Sequence, residues 1–246
     1  MTEPVKIVLE TNVLAVNTLI GPQKREYREV TVSYPGFSFC PGQFVMIKKN
    51  IGPSCWAYPY MIQREREDSF TVYAAKGTSL FDACPGLPVV VWGPSGKAVS
   101  VDRDAVVVTE PAAAFLATPF LNRNPSCKFI ALTSRENAGL LSGYANGSYV
   151  ESVEEAGALL REMKASTVIG ALNMDTVRAL VAAGVSGRSV MAFASTKISC
   201  GVDGCKSCYL HSPELPLGLS VCCNGPYLPY DKIDFEANVR CFHAFE

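Results

Sequence analysis

Residues 200–226 read CGVDGCKSCYLHSPELPLGLSVCCNGP, and five of the chain's ten cysteines lie in them. Cys200, Cys205 and Cys208 follow C-x4-C-x2-C, and Cys222 or Cys223 can supply a distant fourth thiolate. This is the opening spacing of a plant-type [2Fe–2S] site. Gly201 and Gly204 suit a loop that wraps tightly at positive φ, turning backbone N–H groups toward the sulfurs. Zinc is the first rival. Structural zinc usually draws on two short knuckles, whereas this stretch has one C-x2-C, a four-residue loop before it and a lone His211. A disulfide framework fits a cytosolic chain poorly. Spacing therefore favours iron–sulfur and leaves the choice between Cys222 and Cys223 open.

The rest of the chain sets limits on partners and compartment. The other cysteines, Cys40, Cys55, Cys84, Cys127 and Cys241, are scattered and read as small buried hydrophobes. A net charge of -1 over 246 residues offers no basic face for nucleic acid. No apolar run is long enough to span a bilayer. The opening MTEPVKIVLE lacks the pattern of a secretory signal, so the expected location is cytoplasmic.

Residues up to about 100 predict short β-strands: KIVLETNVLAVNTLI, YREVTVSY, SFCPGQFVMIKKN, SFTVYAAK and LPVVVWGPSG. Their close spacing and Gly/Pro punctuation predict a small barrel or sandwich. From residue 101 strands alternate with helices. AVVVTE, KFIALTS, STVIGAL and RSVMAFAS are apolar strands; PAAAFLATPFL, SVEEAGALLREM and MDTVRALVAAGV have helical character. Ser152-x-x-Glu155 is a capping-box pattern. Such alternation predicts a parallel sheet covered on both faces. The fold class is thus α+β and multidomain: a barrel over 1–100, a Rossmann-like α/β domain over 101–196, and a small cysteine-rich domain over 197–246.

PGQFVMIK (Pro41–Lys48), KGTSLFDACPGLPVVVWGPSGKA (Lys76–Ala98) and CGVDGCKSC followed by CCNGP resemble one family along nearly the whole chain. It is the electron-transfer subunit of class 1B dihydroorotate dehydrogenase, among the ferredoxin-reductase-like flavoproteins. The resemblance implies a flavin-binding barrel, a nucleotide-binding α/β domain and a [2Fe–2S] domain. It implies cluster ligands Cys200, Cys205, Cys208 and, by alignment from Gly225, Cys222. It also implies FAD, a hetero-oligomer, and a catalytic flavoprotein dehydrogenase subunit as partner.

Two departures stand out. The family's flavin motif, Arg-Pro-x-Ser, corresponds to Tyr58-Pro59-Tyr60-Met61, so its phosphate-pairing arginine and ring-facing serine are missing. Gly77 and Thr78 remain for a pyrophosphate, Tyr58 or Tyr60 could stack on the flavin or simply fill the barrel rim, and Lys48, Lys49 or Lys76 could stand in for the lost cation. After the strand AVVVT the family's glycine-rich turn is replaced by Glu110-Pro111-Ala112-Ala113-Ala114. Pro111 removes an N–H donor and Glu110 brings negative charge to a phosphate position. The family's Cys-Gly-Pro corresponds to Gly170–Asn173. The expected function is an electron relay through FAD and a [2Fe–2S] cluster, with no acid–base residue and without NAD(H). An NAD(H)-dependent flavin reductase and a structural scaffold subunit are the alternatives.

Overall fold

A computed structural model describes residues 7–21, 25–36, 38–52, 56–185 and 187–238. Cys55 and Cys241 lie outside them. Six strands close a barrel: β1 (Ile7–Ile20), β2 (Glu26–Ser33), β3 (Phe44–Lys49), β4 (Tyr58–Arg66), β5 (Ser69–Ala75) and β6 (Pro88–Ser95), in spatial order β1-β2-β5-β4-β3-β6. All neighbours are antiparallel. Strand β6 alternates buried and half-buried positions, the mark of a strand with one face on a core. Val30, Val32, Ile47, Ile62, Phe70 and Val91, all at 0% exposure, fill the interior.

The second layer is a six-stranded sheet in the order β14-β11-β10-β7-β8-β9. Its parallel strands are β7 (Ala105–Thr109), β8 (Lys128–Leu132), β9 (Gly147–Val150), β10 (Thr167–Ala171) and β11 (Ser189–Phe193). Helices α1 (Ala114–Arg123), α2 (Val153–Glu162) and α3 (Met174–Leu180) connect them. Every residue of β7 is buried, as a strand covered on both faces requires. The predicted capping box forms with a shift. Ser152 Oγ accepts from Glu155 N at 3.1 Å, and the Glu155 carboxylate reaches back to Glu151 N rather than to Ser152.

The cysteine-rich segment is less separate than its sequence suggests. It contributes the hairpin β12 (Tyr209–Leu210) and β13 (Leu219–Ser220), the short helix α4 (Val221–Asn224) and strand β14 (Tyr227–Pro229). Strand β14 pairs antiparallel with β11 and so becomes the edge of the α/β sheet. Leu210, Val221, Tyr227 and Leu228 share one apolar core with that layer. The physical reason is burial: Tyr227, 1% exposed, packs edge-on against Phe120 and donates its hydroxyl to Leu116 O at 2.9 Å. Among the described residues no helix is long and apolar enough to cross a membrane.

Candidate functional site

The cysteine loop leaves β11, runs past Thr196 and lies against the barrel. Trp92 Nε1 donates to Cys200 O at 2.8 Å and Ser95 Oγ to Gly201 O at 2.7 Å. Gly96 N donates to Cys222 O, also at 2.8 Å. Gly201 sits at φ +70, and a Cβ there would come within 2.5 Å of Met46 Cγ, so only glycine allows this approach. Gly204 does not take the positive φ expected of it. The left-handed turns fall at Asp203 (φ 63) and Lys206 (φ 56), whose side chains close an ion pair of 2.7 Å.

The four predicted ligands come together as two pairs. Cys205 contacts Cys200 and Cys222 contacts Cys208. The second pair is buried, at 2% and 0% exposure, while Cys200 is half-buried and Cys205 is exposed. Backbone N–H groups point at the sulfurs: Val202 N to Cys200 Sγ at 3.4 Å, Asp203 N to Cys222 Sγ at 3.2 Å, and Cys222 N to Cys208 Sγ at 3.4 Å. The Ser207 hydroxyl, 3.1 Å from Cys205 Sγ, leads the contacts that hold the Cys205 thiol down to about 6. Burial, reinforced by Cys208, pushes Cys222 up.

The donor set is all sulfur, which suits iron–sulfur or zinc. One tetrahedral zinc with bonds of about 2.3 Å would draw all four sulfurs to within roughly 4 Å of one another. Among the described residues the set of three or more donors lying within 4.8 Å of one another is Asp203, Cys222 and Cys223, not the four predicted cysteines. Cys223 is exposed, its Sγ 4.0 Å from that of Cys222. His211 stays out of the cluster, its ring edge-on to Tyr209.

A cavity of about 220 Å³ opens where the barrel, α1 and the segment leading to the cysteines meet. Aromatic side chains dominate it: Tyr27, Phe44, Tyr73, Phe115 and Phe193 join Tyr60. Of the residues expected to bind flavin, Pro59, Tyr60, Met61 and Thr78 line it; Tyr58 and Gly77 do not. The Tyr60 hydroxyl is committed to the protein. It accepts from Leu80 N at 3.0 Å and pairs with Ser79 Oγ at 3.0 Å, which ties it into the barrel rim. Thr78 Oγ1 donates to Ala75 O at 2.7 Å. Gly77, at φ +91, has open space where a Cβ would stand. Thr196 is one of the lining residues, and its Oγ1 is buried with no hydrogen-bond partner. An unpaired buried hydroxyl costs about 1–3 kcal/mol.

The cavity fits the apolar ring system of a flavin in chemistry. It lies below the roughly 300–1,000 Å³ of a site enclosing a whole drug-sized ligand, so a dinucleotide tail would run outside it. Sequence reasoning missed Phe115, Phe193 and Thr196, because they come from the α/β layer and the cluster approach, remote in sequence from the flavin motif.

In an open α/β sheet, ligands settle at the carboxyl ends of strands where the strand order reverses. Here that point lies between β7 and β10. Glu110 follows β7 and Asn173 follows β10. Glu110 Oε1 accepts from Asn173 N and Oε2 from Asn173 Nδ2, both at 2.8 Å, while Asn173 Oδ1 caps α3 at Thr176 N. Burial raises the Glu110 carboxyl above its usual range, opposed by the bonds from Asn173 and Thr176. The start of the following helix is sealed: Ala113 and Ala114 are at most 1% exposed.

No known family profile matches the chain, and no curated protein matches it. Solved structures do. An NADH-dependent reduced ferredoxin-NADP oxidoreductase, described for flavin-based electron bifurcation, superposes with a TM-score of 0.75 at 12% identity over 94% of this chain and 92% of that one. The ferredoxin reductase in carbazole 1,9a-dioxygenase gives 0.55 at 18% identity, over 75% and 66%. Ferredoxin-NADP+ reductase from Plasmodium falciparum gives 0.54 at 13%, over 74% and 94%. At these identities the likeness is one of fold: the barrel and α/β layer form a ferredoxin-reductase-like architecture.

Proposed function

We propose that the chain is an electron-transfer subunit that relays electrons through FAD and a [2Fe–2S] cluster to or from a catalytic flavoprotein, dihydroorotate dehydrogenase-like, without an NAD(H) site of its own. One observation carries the reading: the cysteine loop, with its two sulfur pairs, begins two residues after Ile198, which lines the aromatic cavity.

FAD, when bound, supplies conversion between paired and single electrons, and the cluster carries single ones. The side chains hold and insulate. Cys200, Cys205, Cys208 and Cys222 are the ligands. The N–H groups of Val202, Asp203 and Cys222 offset negative charge on sulfur, a contact that raises a cluster's potential. Trp92 and Ser95 fix the loop on the barrel. Tyr27, Tyr73, Phe115 and Phe193 line the cavity with aromatic surface. Cys205 and Val202, the latter 43% exposed, mark the face a partner subunit would cover.

The Glu110–Asn173 link supports the absence of NAD(H), since it sets a carboxylate across the crevice a pyrophosphate would need. A structural scaffold subunit is the second reading, favoured by the departures from both nucleotide motifs, at Tyr58–Met61 and at Glu110–Ala114. An anaerobic absorption spectrum with iron, sulfide and released-flavin contents, followed by NADH, tests both. Iron, sulfide and FAD without bleaching by NADH is the expected result. Rapid bleaching would make the chain an NAD(H)-dependent flavin reductase, and a flavin-free protein with an inert cluster would make it a scaffold.

A further inference from the structure

We propose that Ser95, on the barrel strand β6, helps set the reduction potential of the iron–sulfur site by orienting the loop peptide whose N–H reaches the Cys200 sulfur. The inference rests on the iron–sulfur reading above and assigns a positioning residue to that site.

Ser95 ends β6 at a buried position, 1% exposed, and its hydroxyl donates to Gly201 O at 2.7 Å. Gly201 O and Val202 N belong to one trans peptide, in which C=O and N–H point opposite ways. Holding the oxygen on the barrel therefore turns the Val202 N–H away from it, and that N–H donates to Cys200 Sγ at 3.4 Å. The preceding carbonyl is held by the same strand, since Trp92 Nε1 donates to Cys200 O at 2.8 Å. Gly201 at φ +70 supplies the backbone conformation that the two bonds need.

The contact from Cys222 N to Cys208 Sγ is placed differently. The carbonyl of that peptide, Val221 O, accepts from Gly225 N at 2.9 Å, within the cysteine-rich segment itself. Of these two contacts, the one to Cys200 is set from the barrel. Ser95 acts on it by direction and by polarisation, because a carbonyl that accepts a hydrogen bond leaves its own N–H a stronger donor. N–H···S bonds stabilise the negative charge that a reduced cluster gains, and so raise its potential. The barrel thereby takes part in setting the potential as well as in seating the loop.

The test uses the full chain with its cluster reconstituted under anaerobic conditions. Iron and sulfide contents, melting temperature and the midpoint of an EPR-monitored redox titration are recorded for the wild type, Ser95→Ala and Ser95→Thr. Ser95→Ala should keep its iron and sulfide, melt cooperatively, and show a midpoint shifted to more negative potential. Ser95→Thr keeps the hydroxyl and should titrate close to the wild type. An unchanged midpoint in Ser95→Ala would overturn the proposal. So would an equal shift in Ser95→Thr, which would assign the effect to packing rather than to the hydroxyl. A Ser95→Ala chain that holds no cluster would also overturn it, because the hydroxyl would then be needed to assemble the site rather than to set its potential. A wild type that takes up no iron and sulfide would overturn the iron–sulfur reading itself and this inference with it.

Discussion

The two carboxylate oxygens of Glu110 each lie 2.8 Å from a nitrogen of Asn173, one on the backbone and one on the side chain. The link joins the ends of adjacent strands and holds the residue that caps α3. Glu110→Ala should therefore lower stability by about 1–2 kcal/mol, the cost of leaving half-buried donors unpaired. It should not create NADH binding, because Pro111 still withholds an N–H at the start of the helix. Urea unfolding and an NADH titration of the variant check both.

The same carboxyl gives a pH signature. Its folded value is raised by burial above the usual 4.5, so between the two values the folded chain holds the proton more tightly than the unfolded one. Stability from this group is therefore greatest at the acid end of the window just above 4.5, falls as pH rises through the folded value, and is level beyond it. Glu110→Gln, which does not titrate, should flatten that slope. Unfolding midpoints of the two proteins across the window show it, and a difference independent of pH would contradict the assignment.

Substituting serine for Cys205, Cys208 or Cys222 should remove the visible iron–sulfur absorption and lower iron and sulfide together. Cys223→Ser should keep both at wild-type levels, since the Cys222 sulfur pairs with Cys208 inside the core. Loss of iron in Cys223→Ser would reassign the fourth ligand.

Gly201→Ala should cost about 1–3 kcal/mol, from a left-handed φ and a Cβ 2.5 Å from Met46 Cγ. Met46 is fully buried and has little room to yield. Adding Met46→Ala should relieve the clash but not the backbone strain, so cluster content would recover only in part. Thermal melting with iron analysis of the single and double variants reads this out.

Tyr60→Phe should destabilise the barrel by about 1–3 kcal/mol, because it strips the buried Leu80 N–H of its acceptor. A thermal melt unchanged from the wild type would mean that water replaces the phenol.

The barrel strands and the alternating layer were legible because apolar periodicity is local: LPVVVWGPSG and AVVVT declare themselves within a few residues. Strand β4 hid inside a stretch read for its flavin motif, and β9, only Gly147–Val150, is too short to show a period. The approach of Cys200 to Cys205 and of Cys208 to Cys222 was legible as a cysteine cluster because one loop carries three of the four. Other features depend on partners far along the chain. Tyr60 needs Leu80, Glu110 needs Asn173, and Cys200 needs Trp92. The positive φ expected at Gly204 falls instead on Asp203 and Lys206, because the loop is bent by its docking on the barrel and by an ion pair as well as by its glycines.

Strand β14 makes the cysteine-rich segment hard to inherit by itself. Without residues 197–238, β11 would lose its antiparallel neighbour and bare a row of unpaired N–H and C=O groups beside apolar side chains, a template for aggregation. Transplanted elsewhere, the same residues would need a host with a matching open strand. The α/β layer therefore has a structural role apart from any ligand: the cysteine-rich segment uses it as the other half of a shared sheet.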